Sequence, residues 1–163
     1  MKALAVLGAA LAAIVSVVLF LWPAPASGPQ QIAYGRDTCA RCRMILSRPG
    51  FAGEVRDADG ALAKYDDVGC MLDAMRVHRG PMPEAWVEDH AGGGFVPLLT
   101  ATLVRAPAVD TPMGHGLVAF ADAAEARAFA ARHGGALIAL EDVVRAPDRL
   151  ALQHVPRRVE EPR

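Results

Sequence analysis

Apolar and polar positions along the chain follow a pattern that occurs twice. In the first half, residues 51–56 and 61–65 have the alternation of two short strands joined by a polar turn. Apolar residues at helical spacing follow Asp67, which is a suitable N-cap, and Gly80 is placed to end the helix. Residues 84–89 then predict a third strand, so this half is predicted as strand, strand, helix, strand.

The second half of the chain predicts the same order of elements. Residues 95–99 and 101–104 predict sheet, and residues 117–120 predict a short apolar strand. Asp122 is the predicted N-cap of a second helix, which ends before a pair of glycines, and residues 136–140 predict a buried strand. In both halves the cap follows an aromatic residue by two positions, which indicates a weak duplication.

This repetition predicts an α+β fold of two small, similar strand-strand-helix-strand units, over about residues 50–90 and 95–141. A unit of this size buries too little surface to be stable alone, so the two are expected to pack together. We predict one domain over residues 36–146, followed by a polar, flexible tail over residues 147–163.

A hydrophobic segment precedes the predicted domain. Residues 3–22 form an uncharged run that is long enough to cross a bilayer as a helix. One basic residue before the run and small residues at 24–26 are also typical of a signal peptide. Residues 1–26 are therefore predicted as a signal peptide or a membrane anchor, and residues 27–35 as a linker. Either outcome places the rest of the chain outside the cytoplasm.

Composition excludes one class of partner and draws attention to the cysteines. The chain of 163 residues has 17 Lys and Arg against 18 Asp and Glu, and its aromatic content is 6%. These values argue against a protein that holds nucleic acid by charge or by base stacking. Only three cysteines occur, which is an odd number and too few for a disulfide-stapled scaffold. The cysteines are therefore candidates for chemistry.

Two of these cysteines form a compact sulfur-rich motif. Cys39 and Cys42 enclose two residues, and the thioether of Met44 follows within the same six residues. Soft sulfur ligands favour Cu(I), whereas a thioether binds zinc poorly. Alternatives remain open at this point, namely a structural zinc site, a thiol–disulfide pair and a plain disulfide. Met44 could also simply fill a gap in the core.

A second loop with candidate metal ligands lies between the predicted strands of the second half. Residues 111–116 contain Met113 and His115, with glycines on both sides of the histidine that permit close backbone approach. Alone, this segment is an ordinary turn, but beside a cysteine-rich loop it could complete one metal site. Cys70 is interpreted as a small buried hydrophobe, and Asp67 only as a helix cap. The chain has no hydrolase, nucleotide-binding or metalloprotease motif, so binding and transfer are favoured over catalysis.

Several of these segments occur together in a recognisable order. They are Cys39–Met44, Phe51–Glu54, Tyr65–Met71, Pro112–Gly116 and Ala119-Phe120. In this combination the chain resembles the NosL family, accessory proteins of nitrous oxide reductase. The likeness extends from Cys39 to Val144.

The resemblance implies a periplasmic, usually membrane-tethered Cu(I) chaperone that supports assembly of the copper-sulfur cluster of nitrous oxide reductase. It also implies two strand-strand-helix-strand units, related to part of organomercurial lyase. The family's ligand positions fall on Cys42 and Met113, with Cys39, Met44 and His115 as additional candidates. An uncleaved N-terminal segment would supply the membrane contact, and a copper-accepting protein would be the partner.

Two features depart from the family pattern. Many members have a lipoprotein cysteine after the apolar segment, but none precedes Cys39 here. The residue after the second cysteine is commonly Gly, and here it is Arg43, a cation that could lower the pKa of the neighbouring thiol. Two other functions stay open: a thiol–disulfide protein that uses Cys39 and Cys42 to maintain a copper protein, and an interaction module stabilised by zinc or a disulfide.

Overall fold

The computed structural model describes residues 15–17, 20–21, 27–78, 80 and 82–145. Most of the predicted signal peptide or anchor and the whole of the predicted tail lie outside these ranges. Among the described residues, no helix has both the length and the apolar character needed to span a membrane.

A four-stranded antiparallel sheet forms the first half of the fold. Its strands are β1 (Gly53–Arg56), β2 (Leu62–Tyr65), β3 (Glu84–Glu88) and β4 (Phe95–Pro97), in the spatial order β2-β1-β3-β4. Helix α1 (Val68–Val77) connects β2 to β3 and begins at Asp67, whose side chain accepts a hydrogen bond from the Gly69 N–H. The helix ends at Val77, before the predicted Gly80, because His78 already has an extended backbone.

A three-stranded antiparallel sheet forms the second half. It contains β5 (Thr102–Arg105), β6 (Leu117–Phe120) and β7 (Ala136–Ile138), in the order β6-β5-β7. Helix α2 (Ala123–Arg132) connects β6 to β7, and a short helix α3 (Leu140–Arg145) follows β7. Each half therefore contains strand, strand, helix, strand in sequence, which confirms the predicted α+β class.

The position of β4 differs from the sequence prediction. Residues 95–99 were assigned to the second unit, but β4 pairs with β3 in the first sheet. The reason is local: Asp89 and Gly94 are joined by a backbone hydrogen bond of 2.9 Å, which closes a tight glycine-rich turn between the two strands. Two strands joined by such a turn pair with each other as a hairpin. Helix α3 is also additional to the predicted elements.

The two halves share one main core. It combines apolar residues of α1 and the first sheet with Leu103 and Leu117 of the second sheet and Val143 of α3. Ile32 and Tyr34, which fall in the predicted linker, also pack in or against this core. A second cluster lies between α2 and the second sheet around Phe120 and Phe129. The main core therefore fixes α1, β2 and the cysteine-bearing loop relative to one another.

Candidate metal centre

Cys39 and Cys42 lie on a loop that is built like a small hairpin, residues 36–48, which we call the Cys loop. The Cys39 N–H donates to the Met44 carbonyl at 2.8 Å, and the Leu46 N–H donates to the Asp37 carbonyl at 2.9 Å. The Ala40 N–H donates to the Lys64 carbonyl of β2, also at 2.8 Å. These bonds hold the loop against the edge of the first sheet.

The turn of the Cys loop depends on an unusual backbone conformation at Arg43. Its φ is +67°, and among the described residues it is the only non-glycine with a positive φ. The left-handed conformation costs an L-residue about 1–2 kcal/mol. It allows the Arg43 N–H to donate to the Cys39 carbonyl at 3.0 Å, which closes the turn around Cys42.

Cys70 completes a cluster of three thiols. It is the third residue of α1, and its sulfur lies with those of Cys39 and Cys42 in a group whose members are all within 4.8 Å of one another. All three cysteines are free. Cys39 and Cys70 are 0% and 2% exposed, whereas Cys42 is only partly buried. The cluster therefore has two inner thiols and one thiol within reach of solvent.

The thiols differ in their readiness to ionise. A hydrogen bond from the Cys70 thiol lowers the pKa of Cys39 to about 4, against the effect of burial and with help from backbone N–H groups. The same hydrogen bond raises the pKa of Cys70, with burial adding to the effect. Burial also raises the pKa of Cys42. The first proton lost from the cluster therefore comes from Cys39.

Asp67 links the start of α1 to the loop of residues 111–116, which carries Met113 and His115. Its side chain is fully buried, and one carboxylate oxygen accepts from the Gly69 N–H at 2.7 Å and pairs with His115 Nδ1 at 2.8 Å. The other oxygen accepts from the Met113 N–H at 3.2 Å. One carboxylate therefore caps the helix that carries Cys70 and holds the loop of residues 111–116 beside it.

Close packing reinforces this junction. A Cβ atom added to Gly69 would overlap the His115 ring, so the ring lies directly on the first turn of α1. Burial alone would lower the pKa of His115, but the hydrogen bond to Asp67 raises it. Burial alone would raise the pKa of Asp67, but His115 lowers it. Each partner therefore favours the charged form of the other.

The predicted site residues fall into three groups. Cys39 and Cys42 are together in the thiol cluster. Met113 and His115 are brought to the adjoining helix start through Asp67, with Met113 packed against the main core. Met44 is 54% exposed, so the alternative that it fills a gap in the core is wrong.

Two residues of the centre were assigned lesser roles in the sequence analysis. Cys70 was interpreted as a small hydrophobe, and it is both buried and part of the thiol cluster. Asp67 was assigned only a capping role, and it also holds Met113 and His115. The sequence did contain a signal for this proximity. Cys70 is the third residue of α1, so it lies within one turn of the cap Asp67. The direction in which Cys70 faces depends on how α1 packs, which the local pattern does not specify.

The arrangement is suited to a soft metal ion. Three thiols in mutual reach can supply a low-coordinate sulfur environment, and Cys39 is poised as a thiolate. A closed structural zinc site has four protein ligands, and the described part of the chain brings only three His, Cys, Asp or Glu ligands together here. Fold and cluster together define a small α+β protein with three thiols placed so that they could hold a metal ion.

Comparisons with known proteins place the chain in a family. The family model described as NosL matches residues 31–147, so the chain belongs to the NosL family. A solved structure described as the copper chaperone NosL from Shewanella denitrificans is similar at 18% sequence identity with a TM-score of 0.65. The match covers 76% of this chain and 99% of that one. No curated protein sequence is significantly similar to the chain.

Proposed function

We propose that this protein is a copper chaperone that binds Cu(I) at the thiol cluster and passes it to a copper-accepting protein. The observation that carries the proposal is the convergence of three free thiols, all with sulfurs within 4.8 Å, in a member of the NosL family. Thiolate ligands favour soft metal ions such as Cu(I), and a thioether favours Cu(I) over zinc. Binding and transfer require no catalysed reaction, so no enzymatic activity is proposed.

The ligand set combines the sequence prediction with the geometry. Cys42 and Met113 are the proposed core ligands, with Cys39 assisting, and the position of Cys70 adds a third thiol. Met44 and His115 are additional candidates. The backbone hydrogen bond from Met113 to Asp67 supports this set, because it ties the methionine loop to the helix that carries Cys70.

The mechanism follows from the unequal exposure of the thiols. Cys39 and Cys70 are buried and Cys42 is only partly buried, so an acceptor reaches the ion from the side of Cys42. Because Cu(I) binds thiolate and not thiol, each further cysteine that joins the ion releases its proton. An incoming ligand of the acceptor can bind the ion on this side and then replace the protein's ligands in turn, so transfer is a ligand exchange at Cu(I) without a change of oxidation state.

The proposed acceptor is nitrous oxide reductase, whose copper-sulfur cluster the family supports. The proposed location is the periplasm. There the domain of residues 36–146 is either held at the inner membrane by an uncleaved segment of residues 1–26 or released by cleavage. The order of one basic residue, an uncharged apolar run and the small residues Ala24 and Ala26 supports this arrangement.

A Cu(I) titration of the reduced protein against a competing chelator tests the proposal, with zinc as a parallel control. We expect tight one-to-one Cu(I) binding and much weaker zinc binding. Met113→Ala should weaken Cu(I) binding, as should Cys42→Ser. If Cys39→Ser and Cys42→Ser both leave the Cu(I) affinity intact, the proposed site is wrong.

One observation favours a second candidate function, a thiol–disulfide protein. The pKa of Cys39 is lowered to about 4 by the neighbouring Cys70 thiol, and low thiol pKa values are typical of redox-active cysteines. The reduction potential of the Cys39 and Cys42 pair separates the two functions. Under the redox function, Met113→Ala leaves this potential unchanged and Cu(I) binding is weak or absent.

A further inference from the structure

The Cys loop carries two exposed arginines and two exposed apolar residues beside its partly buried thiol, Cys42. Arg36, Arg43, Met44 and Ile45 are all exposed and lie on the same Cys loop as Cys42. We call these four residues the Cys-loop face. Cys42, the partly exposed thiol of the cluster, lies on the same loop, so an acceptor that approaches this thiol comes close to these residues.

The Cys-loop face is positively charged although the protein is not. Residues 36–48 contain four arginines and one aspartate, in a chain with a net charge of −1. Arg41 is paired with Asp73 at 2.8 Å, and Arg48 with Asp110 at 3.2 Å. Within the part of the chain that the structure describes, Arg36 and Arg43 have no carboxylate partner, so their charges are available to another molecule.

The backbone at Arg43 gives a second and independent observation. A residue with φ of +67° is most easily a glycine. An arginine is held here despite a conformational cost, and its side chain is exposed without a partner in the described structure. Backbone strain kept at a site edge is an indication that the side chain has a role.

The apolar part of the face adjoins this cation directly. Met44 and Ile45 are each 54% exposed, and they follow Arg43 in the chain. Apolar side chains at the centre of a patch with charges around it are typical of protein–protein docking sites. Charged groups at such a rim mainly raise the rate of association with a partner of opposite charge.

We propose that the Cys-loop face docks the copper-accepting protein, and that the acceptor has carboxylates around an apolar entrance to its copper ligands. The inference rests on the proposed function and adds the chemistry of the partner. An anionic lipid surface would also attract arginines beside apolar side chains. The position of Cys42 within this face favours a protein, because the face must admit ligands that can take Cu(I).

The test uses two synthetic acceptor peptides that share a pair of copper-binding cysteines and differ only in flanking glutamates or lysines. Cu(I) transfer from the loaded protein is followed by stopped-flow at low and high salt. The variants are Arg43→Gly, which suits the backbone at this position, and the same variant combined with Arg36→Gln. Arg127→Gln on α2 is the matched control, because it removes an exposed cation from the other sheet unit.

We expect the wild-type protein to transfer Cu(I) to the acidic peptide on the order of tenfold faster than to the basic one at low salt. High salt and the double arginine variant should each remove most of this preference, whereas Arg127→Gln should keep it. Ile45→Thr should slow transfer to both peptides, and none of these variants should change the Cu(I) affinity measured against a chelator. An equal preference in the wild-type protein and the double variant would overturn the proposal.

Two further measurements separate this proposal from the proposed function. Backbone amide shifts of the copper-free protein, recorded as the acidic peptide is added, should change in the Cys loop whether or not the protein binds copper. Shifts confined to other surfaces would overturn the docking proposal even if Cu(I) binding is tight. Arginine-dependent binding to vesicles of anionic lipid, without any effect of peptide charge, would assign the face to a membrane and also overturn the proposal.

Discussion

Removing the carboxylate of Asp67 is the most informative perturbation of the centre, because this side chain joins two segments that are distant in the sequence. Asp67→Ala removes the hydrogen bond to the Gly69 N–H, the hydrogen bond to the Met113 N–H and the pair with His115. Asp67→Asn is the milder variant. Its carbonyl oxygen can still cap α1, but its amide group cannot accept a bond from the Met113 N–H.

The expected size follows from the separate contacts. Each lost contact lowers the free energy of unfolding. Loss of the N-cap bond to Gly69 costs about 1 kcal/mol, and loss of the bond to the Met113 N–H also costs about 1 kcal/mol. Loss of the charged hydrogen bond to His115 costs about 1.5–3 kcal/mol. Relief of the buried charge offsets part of this loss, so we expect Asp67→Ala to lower the free energy of unfolding by about 3 kcal/mol. A domain of this kind has about 5–15 kcal/mol in total, so the variant should remain folded.

Urea unfolding of the reduced, copper-free protein measures this change, and a Cu(I) titration of the same variants measures its effect on the centre. Asp122→Ala is the matched control, since Asp122 caps α2 and, among the described residues, its side chain bonds only to the Ala124 and Glu125 N–H groups of its own helix. It should cost less stability than Asp67→Ala and leave Cu(I) affinity unchanged. If the two alanine variants lose the same stability and bind Cu(I) equally well, Asp67 is only a cap and the reasoning is refuted.

Three further predictions concern the same elements. Cys70→Ser keeps a hydrogen-bond donor beside Cys39 but removes the sulfur, and we expect Cu(I) affinity to fall by at least about tenfold in a chelator competition, since even loss of an outer contact to a metal ligand costs about 10–100-fold. Gly69→Ala should displace the His115 ring and lower the free energy of unfolding by about 1–3 kcal/mol, although alanine favours the helix, and an unchanged His115 imidazole NMR signal would contradict this. Backbone N–H groups of Glu125 and Ala124 lower the pKa of Asp122, so its contribution to stability should be complete above the usual carboxyl pKa and lost as the pH falls through the lowered value. Comparing the pH dependence of unfolding in Asp122→Asn with that of the unaltered protein checks this, and identical acid limbs would contradict it.

Local sequence signals predicted most of the secondary structure because they act over a few residues. The caps Asp67 and Asp122 both start helices where expected, and each half has its strand, strand, helix, strand order. The assignment of residues 95–99 to the second unit was wrong, since the turn after Asp89 makes β4 the hairpin partner of β3. A strand's apolar pattern does not identify the sheet that it joins.

The candidate site was predictable only in part, for a related reason. The motif that contains Cys39 and Cys42 is visible because its residues are adjacent in the sequence. The third thiol is not, because Cys70 meets them only when α1 packs against the Cys loop. The role of Asp67 was hidden similarly, since its partners Met113 and His115 lie 46 and 48 residues away. Exposure of Met44 also depends on tertiary packing and not on its neighbours.

The burial of Cys39 and Cys70 beside the partly exposed Cys42 has a consequence for how the protein is inactivated by oxidation. A solvent oxidant can reach Cys42, but Cys39 and Cys70 are shielded while the Cys loop stays on β2 and α1. Irreversible oxidation of the inner pair therefore requires a local opening of the structure. The rate at which these two sulfurs gain oxygen in peroxide would consequently report how often the loop lifts away. A bound ion that ties the loop to the helix should lengthen the lifetime of the active protein by suppressing the same motion.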